Sequence, residues 1–191
     1  MIFEGEDLVD LYGDVFVEGV QVDYLSPMPP VQEASAHIFL YPDQVKIDVS
    51  KGHVYSLNVA GTDLLFTDVD IDPTWANVHL KATGEVSDIF KLLSFKPLEF
   101  TQEYHVDSAK CAGQAQVKTD LFFKVDTESS PDEVKVTTHA DIQGAQIAFD
   151  NFDVKLEKAN LALDLSNEKM QVSGQTSIFG LPLSIEWTEN F

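Results

Sequence analysis

The residue types that could form a catalytic centre occur together between positions 105 and 111. His105 could act as a base, Asp107 could orient it, and Ser108 or Cys111 could supply a nucleophile. In known triads the fold brings these groups together, and they rarely come from one short run. We therefore interpret the run as a polar loop that precedes a strand. The sequence also lacks GxSxG, P-loop and GxGxxG motifs, and we predict that the protein is not an enzyme.

Metal-binding chemistry has one further candidate, the DxDxD run formed by Asp68, Asp70 and Asp72. Hard oxygen ligands at alternate positions suit calcium, but a calcium loop also needs a central glycine and a distal glutamate, which this run lacks. Val69 and Ile71 between the aspartates favour a strand with an acidic outward face. No HxxxH, HxH or CxxC spacing indicates zinc, so we predict no metal and no cofactor. The histidines occur singly, at His37, His53, His79, His105 and His139.

The charge of the chain excludes several classes of partner. Its 191 residues include 32 acidic side chains and 12 basic ones, all of them lysine, which gives a formal charge of −20. Nucleic-acid binding requires clustered cations, and arginine supplies the best phosphate contacts, so we predict no nucleic-acid partner. The same charge disfavours flat binding to an anionic membrane leaflet. Cys111 is the only cysteine, so an internal disulfide is excluded.

Apolar residues alternate with polar ones along most of the chain, which is typical of strands with one apolar face. Short turns containing Gly, Pro, Asn and Asp separate the runs, so we predict ten to twelve mainly antiparallel strands in an all-β meander. We predict that the apolar face contains Val45, Ile47, Val49, Tyr55, Leu57, Val59, Leu65, Val69, Ile71, Val78, Leu80, Val117, Leu121, Phe123, Val134, Val136, Leu161, Leu163 and Leu165.

Residues 86–94 depart from this alternation and predict one short amphipathic helix. Ile89, Leu92 and Leu93 recur at helical spacing, and either Ser87 or Asp88 could cap the first turn. Pro97 disfavours helical geometry in the residue before it, so the helix should end ahead of it.

One short helix cannot cover the apolar face of ten strands. The sheet must either close on itself as a sandwich or barrel, or curve into a trough whose lining meets a ligand. The chain also has a weak internal similarity: the order of strands, turn and glycine in residues 65–87, ending near Gly84, recurs in residues 160–177 with Gly174. We predict two repeat units, 14–126 and 132–191, within a single sheet.

Several short motifs occur in an order that resembles a known family. Residues 24–31 read YLSPMPPV, Pro97-Leu98 follows the helix, and Gly113 opens a strand. The last twenty residues, 172–191, read VSGQTSIFGLPLSIEWTENF, with a G-x-P turn and a W-x-E-x-F ending. In this ordered set the chain resembles the AsmA-like envelope proteins of Gram-negative bacteria, of the YhdP and TamB type, over residues 16–191.

The resemblance implies a fold, a location and a function. It implies a piece of a long periplasmic protein whose parent is anchored in the inner membrane, and a curved, taco-like β-groove. It implies a non-catalytic role in phospholipid transport and outer-membrane homeostasis, with acyl chains against the apolar residues named above. The partners would be neighbouring repeats of the parent chain, or a second copy paired through open strand edges. The alternatives are a structural or adhesive envelope module without lipid, and an enzyme that uses His105 and Cys111.

Overall fold

The strands of the protein form one antiparallel sheet. The structure is a computed structural model that describes residues 12–125, 133–151 and 154–191. Neighbouring strands follow chain order across the sheet, except that β4 and β5 both lie between β3 and β6. The strands are β1 Gly13–Val22, β2 Val31–Leu40, β3 Gln44–Val54, β4 Leu57–Asn58, β5 Asp63–Thr67, β6 Thr74–Glu85, β7 Ala112–Val125, β8 Lys135–Ala148, β9 Lys155–Ser166, β10 Lys169–Ile178 and β11 Leu181–Asn190.

The predicted all-β, mainly antiparallel meander is confirmed by this arrangement. The strands form because β-branched and aromatic residues alternate with polar ones, so that each strand has one apolar face. Most connections are hairpins, such as the two-residue turn Phe179-Gly180 between β10 and β11, in which both residues have positive φ. Such turns match the twist of the strands that they join.

The long connection between β6 and β7 contains the helical residues of the described chain. Helix α1 spans Val86–Leu93, helix α2 spans Phe100–Glu103, and a 3₁₀ turn spans Ser108–Lys110. The predicted helix near 86–94 is confirmed, whereas α2 was not predicted. The predicted cap is wrong: the cap position is Glu85, and no side chain caps the helix. Asp88 instead accepts a hydrogen bond from the backbone N–H of Ser56, at 3.0 Å.

One predicted apolar row, Leu65, Val69 and Ile71, does not lie on the apolar face of a strand. Leu65 pairs with Lys46 and Asn77, on the polar face of the sheet. Val69 and Ile71 follow the end of β5 and are 37% and 62% exposed. The strand ends there because Asp68 adopts a left-handed conformation, with φ of 58°, which aspartate tolerates better than most residues do.

Gly84 and Gly174, the glycines that suggested an internal repeat, occupy the same row of the sheet. A Cβ atom at Gly174 would lie 2.1 Å from the backbone oxygen of Asn160, so only glycine fits there. The two units proposed from the sequence belong to one continuous sheet, and the segment that would separate them, 127–131, lies outside the described residues. Among those described, no helix has the length and apolarity needed to cross a bilayer.

Candidate functional site

Three complete rows of paired residues cross the six strands from β6 to β11 on one side of the sheet, which we call the inward face. Their members are apolar or glycine except for two threonines and one glutamate. The first row is Leu80, Thr119, Thr138, Leu165, Met170 and Glu189. The second is Ala82, Val117, Ala140, Leu163, Val172 and Trp187, and the third is Gly84, Ala115, Ile142, Leu161, Gly174 and Ile185.

The inward face continues beyond these rows to the other strands. Ile47 pairs with Leu64, which pairs with Val78. Val45 likewise joins Phe66 and Ala76 in the next row. The apolar surface therefore extends from β3 to β11 without a change of face, because each cross-strand partner projects to the same side.

The opposite, outward face is almost entirely polar. One of its rows, lying between the first and second inward rows, is Lys81, Lys118, His139, Asp164, Gln171 and Thr188. This alternation gives the sheet one apolar side and one side suited to water. Phe122 is an exception: it is 40% exposed and stacks on Trp75 on the outward face, while the adjacent Phe123 is inward.

Histidine–aspartate pairs link neighbouring strands on the outward face. His79 Nδ1 lies 2.5 Å from Asp120 Oδ1, and His139 Nδ1 lies 2.7 Å from Asp164 Oδ1. The hydrogen bonds to these carboxylates are the main reason that the pKa values of His79 and His139 are raised. His37 pairs with Asp14 in the same way. These exposed pairs stabilise the sheet only weakly.

One end of the inward face is covered by residues 86–111, which we call the strap. Val86, Val106 and Cys111 of the strap are each less than 8% exposed, and Ile89, Phe90 and Tyr104 pack beside them. The sheet residues in this cluster, which we call the covered end, include Ala115, Ile142, Ala145, Leu161, Val172 and Ile185. The covered end is therefore an ordinary protein core.

The rest of the inward face does not join that cluster. Val45, Ile47, Leu121, Phe123 and Val136, which we call the open end, are only half-buried. Ala76 and Val78, their cross-strand neighbours opposite Phe123 and Leu121, are buried. The predicted lining residues that are half-buried here are Val45, Ile47, Val49, Val59, Leu80, Val117, Leu121, Phe123, Val134, Val136, Leu163 and Leu165.

The other predicted lining residues are placed differently. Leu57 and Val78 are buried by neighbours, and Leu161 is buried under the strap. Tyr55 lies at the tip of the β3–β4 hairpin, where the ammonium of Lys91 stands 3.7 Å from its ring centroid. Leu64 and Phe66 take the inward positions that had been assigned to Leu65. Periodicity alone could not decide which of Leu64, Leu65 and Phe66 are inward, because the three apolar residues are consecutive.

The strap is joined to the last strand by Tyr104. Its hydroxyl donates a hydrogen bond of 3.0 Å to Glu189 Oε2, and its ring packs edge-on against Trp187. Burial, followed by the bond to Glu189, raises the pKa of Tyr104 to about 12, so the hydroxyl stays a donor. Glu189 is the one charged residue in the three complete rows. Sequence reasoning missed this pair because Tyr104 belongs to no periodic run.

The candidate catalytic residues occupy the end of the strap in structural roles. Asp107 accepts a hydrogen bond from the N–H of Ala109 at 3.1 Å and pairs with Lys110. Cys111 is 6% exposed, and its Sγ donates to the carbonyl of Asp107 at 3.2 Å. Burial raises the pKa of the Cys111 thiol, which disfavours the reactive thiolate.

Neither metal chemistry nor a deep cavity is indicated in the described ranges. No three His, Cys, Asp or Glu side chains in them converge as a metal site would require. A shallow depression of about 440 Å³ lies over β8 to β10, bordered by Asp141, Asn160 and Ser173 among others. A second of about 330 Å³ lies between β10 and β11 near Pro182. Their borders mix polar and apolar residues, whereas the open end is apolar.

Comparison of the chain with protein-family models, with curated proteins and with solved structures finds no match.

Proposed function

We propose that this chain is a non-catalytic segment of a periplasmic β-groove that holds phospholipid acyl chains. The observation that carries the proposal is the inward face, which is apolar from β3 to β11 and which, among the residues that the structure describes, is covered by the strap at one end. An apolar surface of this extent calls for an occupant. The open end supplies only side chains that attract hydrocarbon, without the polar groups that fix a small substrate in one pose.

The energetics of the open end suit a ligand that must slide. Each methylene removed from water contributes about 0.8 kcal/mol, so many weak contacts could hold an acyl chain without one strong contact. Ten strands lie side by side along the sheet, which at about 4.8 Å per strand gives a surface about 43 Å across. That is longer than the ~30 Å hydrocarbon core of a bilayer.

The two edges of the sheet support a place among neighbouring repeats. In the described residues β1 pairs only with β2, and β11 pairs only with β10. Both edges carry exposed apolar side chains, with Phe16 at 70% and Leu181 at 71%. Unpaired edges of this kind tend to accept another strand, as a longer groove or a pair of copies would require. The resemblance to AsmA-like proteins adds the inner-membrane-anchored parent and the transfer of phospholipid between envelope membranes.

Two adjacent phenylalanines allow a matched test, because Phe123 is inward and Phe122 is outward on the same strand. Each is replaced in turn by photoreactive p-benzoylphenylalanine in the full chain, produced in a Gram-negative host. After irradiation, mass spectrometry measures phospholipid attached to each variant. We expect adducts at position 123 and essentially none at position 122.

Equal labelling at both positions would indicate adventitious lipid, and no labelling at position 123 in folded protein would contradict the proposal. The second outcome would favour a structural envelope module. A rise in melting temperature with calcium, lost when Asp68, Asp70 and Asp72 are changed to asparagine, would favour its calcium-binding form.

A further inference from the structure

We infer that the strap is a built-in stop that limits how far along the strands of the groove an acyl chain can reach, and that the Tyr104–Glu189 hydrogen bond holds the stop in place. This inference rests on the proposed function, since it states where along the inward face an acyl chain can lie. A ligand would occupy the open end, and the strap's own apolar side chains take the corresponding place at the covered end.

The strap fills the covered end as a ligand would. Ile89, Phe90 and Val106 belong to one apolar cluster with inward residues of the strands from β7 to β11, among them Ile142, Val172 and Ile185. A chain that reached Ile142 or Val172 would have to displace these side chains. Because interiors of this kind are close-packed, the two cannot occupy the space together.

The strap contacts the rest of the protein at several separate points. At its start, Asp88 binds the N–H of Ser56 and Lys91 lies over Tyr55. Near its end, Val106 forms a β-bridge with Phe149, and the N–H of Asp107 donates to Ala148 at 3.0 Å. These contacts fix the strap to the β3–β4 hairpin and to β8. Among the described residues, the hydrogen bond of Tyr104 is the only one that joins the strap to the last two strands.

The carboxylate of Glu189 lies on the otherwise apolar inward face. Glu189 is the only charged side chain in the three complete inward rows, where a charge disfavours both core packing and hydrocarbon. Its Oε2 accepts the hydroxyl of Tyr104, which accounts for its presence. Breaking this bond should free the middle of the strap from β11 and extend the accessible inward face toward Val172.

The test uses the full chain with vesicles of palmitoyl-oleoyl phosphatidylcholine and two readouts. p-Benzoylphenylalanine at position 123 reports lipid at the open end, and at position 172 it reports lipid at the covered end. Cys111, buried within the strap, reports displacement of the strap without lipid through its rate of labelling by a maleimide. In the unmodified background we expect adducts at position 123 and none at position 172.

The variant Tyr104→Phe keeps the ring and removes the hydroxyl. Loss of this partly exposed hydrogen bond should raise Cys111 labelling about fivefold and give adducts at position 172. Glu189→Gln, which retains an acceptor, should stay close to wild type. Glu186→Gln, outward on the same strand, is the matched control and should change nothing.

Adducts at position 172 equal to those at position 123 in the unmodified background would overturn the stop. In Tyr104→Phe, an unchanged rate of Cys111 labelling together with no adducts at position 172 would overturn the lock, by which we mean the role of the Tyr104–Glu189 hydrogen bond in holding the strap. If position 123 gives no adducts in any variant while Cys111 labelling still rises, the lock stands and the groove function fails.

Discussion

The covered and open ends of the inward face are both apolar, but their surroundings differ. Leu161 of β9, at the covered end, is 5% exposed beneath the strap. Leu121 of β7 lies on the same face of the sheet at the open end and is half-buried. Alternation in the sequence sends both leucines to the same side of the sheet. What lies above each depends on where the one long connection of the sheet runs. The comparison shows that strand periodicity identifies a face but does not identify what covers it.

The largest expected contrast concerns two glycines with positive φ. At Gly174, in the third inward row, a Cβ atom would overlap the backbone of Asn160, and φ is 146°. Gly174→Ala should lower the free energy of unfolding by about 4 kcal/mol through strain and overlap. Gly19, in β1 far from the strap, has φ of 64° and no atom within 4 Å of such a Cβ. Gly19→Ala should lower the free energy of unfolding by only about 1 kcal/mol. Unfolding in urea measures the loss in both variants. Losses of similar size would contradict the expected difference between the two glycines.

The second contrast compares the leucines themselves. Leu161→Ala should lower the free energy of unfolding by about 3 kcal/mol, because it leaves a cavity in a packed core. Leu121→Ala should lower it by about 1 kcal/mol, because the side chain is half-buried and the site can stay hydrated. Chemical denaturation with unchanged slopes provides the measurement. A loss at Leu121 as large as that at Leu161 would indicate that protein covers the open end.

The third contrast isolates the link between strap and sheet. Tyr104→Phe should lower the free energy of unfolding by about 1 kcal/mol, the usual contribution of one partly exposed hydrogen bond. Hydrogen exchange should accelerate in the strap more than in β1 to β3, since the strap loses its contact with Glu189. Uniform acceleration across the chain would argue against a separate role for this bond.

The smallest contrast belongs to the outward face. Asp120 raises the pKa of His79, so the folded state favours the protonated imidazole. The stabilisation is fully present below the unfolded pKa of about 6.5 and is lost as the pH rises through the higher folded value. Asp63 lies directly across from His79 on the neighbouring strand, and Lys81 lies nearby. Because the His79–Asp120 pair is exposed, His79→Gln should lower the free energy of unfolding by less than about 0.5 kcal/mol at pH 6. The difference from wild type should vanish by pH 9; a constant difference would show that the effect is not ionic.

Much of the fold could be predicted from periodicity, and the failures have local causes. Phe123 was predicted on the apolar face and lies there, while the adjacent Phe122 lies on the outward face. Leu64, Leu65 and Phe66 are all apolar, so the pairing of β5 with its neighbours, rather than its own sequence, decides which of them are inward. Helix α1 was predicted from its apolar spacing, but Asp88 binds Ser56 rather than capping the first turn.

The covered end could not be predicted because it depends on contacts between residues far apart in the sequence. Tyr104 and Glu189 are 85 positions apart; Glu189 lies in the W-x-E-x-F ending, but nothing in the sequence pairs it with Tyr104. The lone Cys111 illustrates the same point: its neighbours suggested chemistry, while its burial and its bond to Asp107 assign it to the core.

The most direct test of the account is to map an added phospholipid on the inward face by methyl NMR. A phospholipid with a spin label on its acyl chain is titrated into the full chain, and broadening is measured for assigned Leu, Ile and Val methyl groups. The account predicts strong broadening at Leu121, Val136 and Ile47, and little at Leu161 and Ile142 beneath the strap. Broadening confined to exposed residues at the sheet edges, or none at the open end, would contradict it.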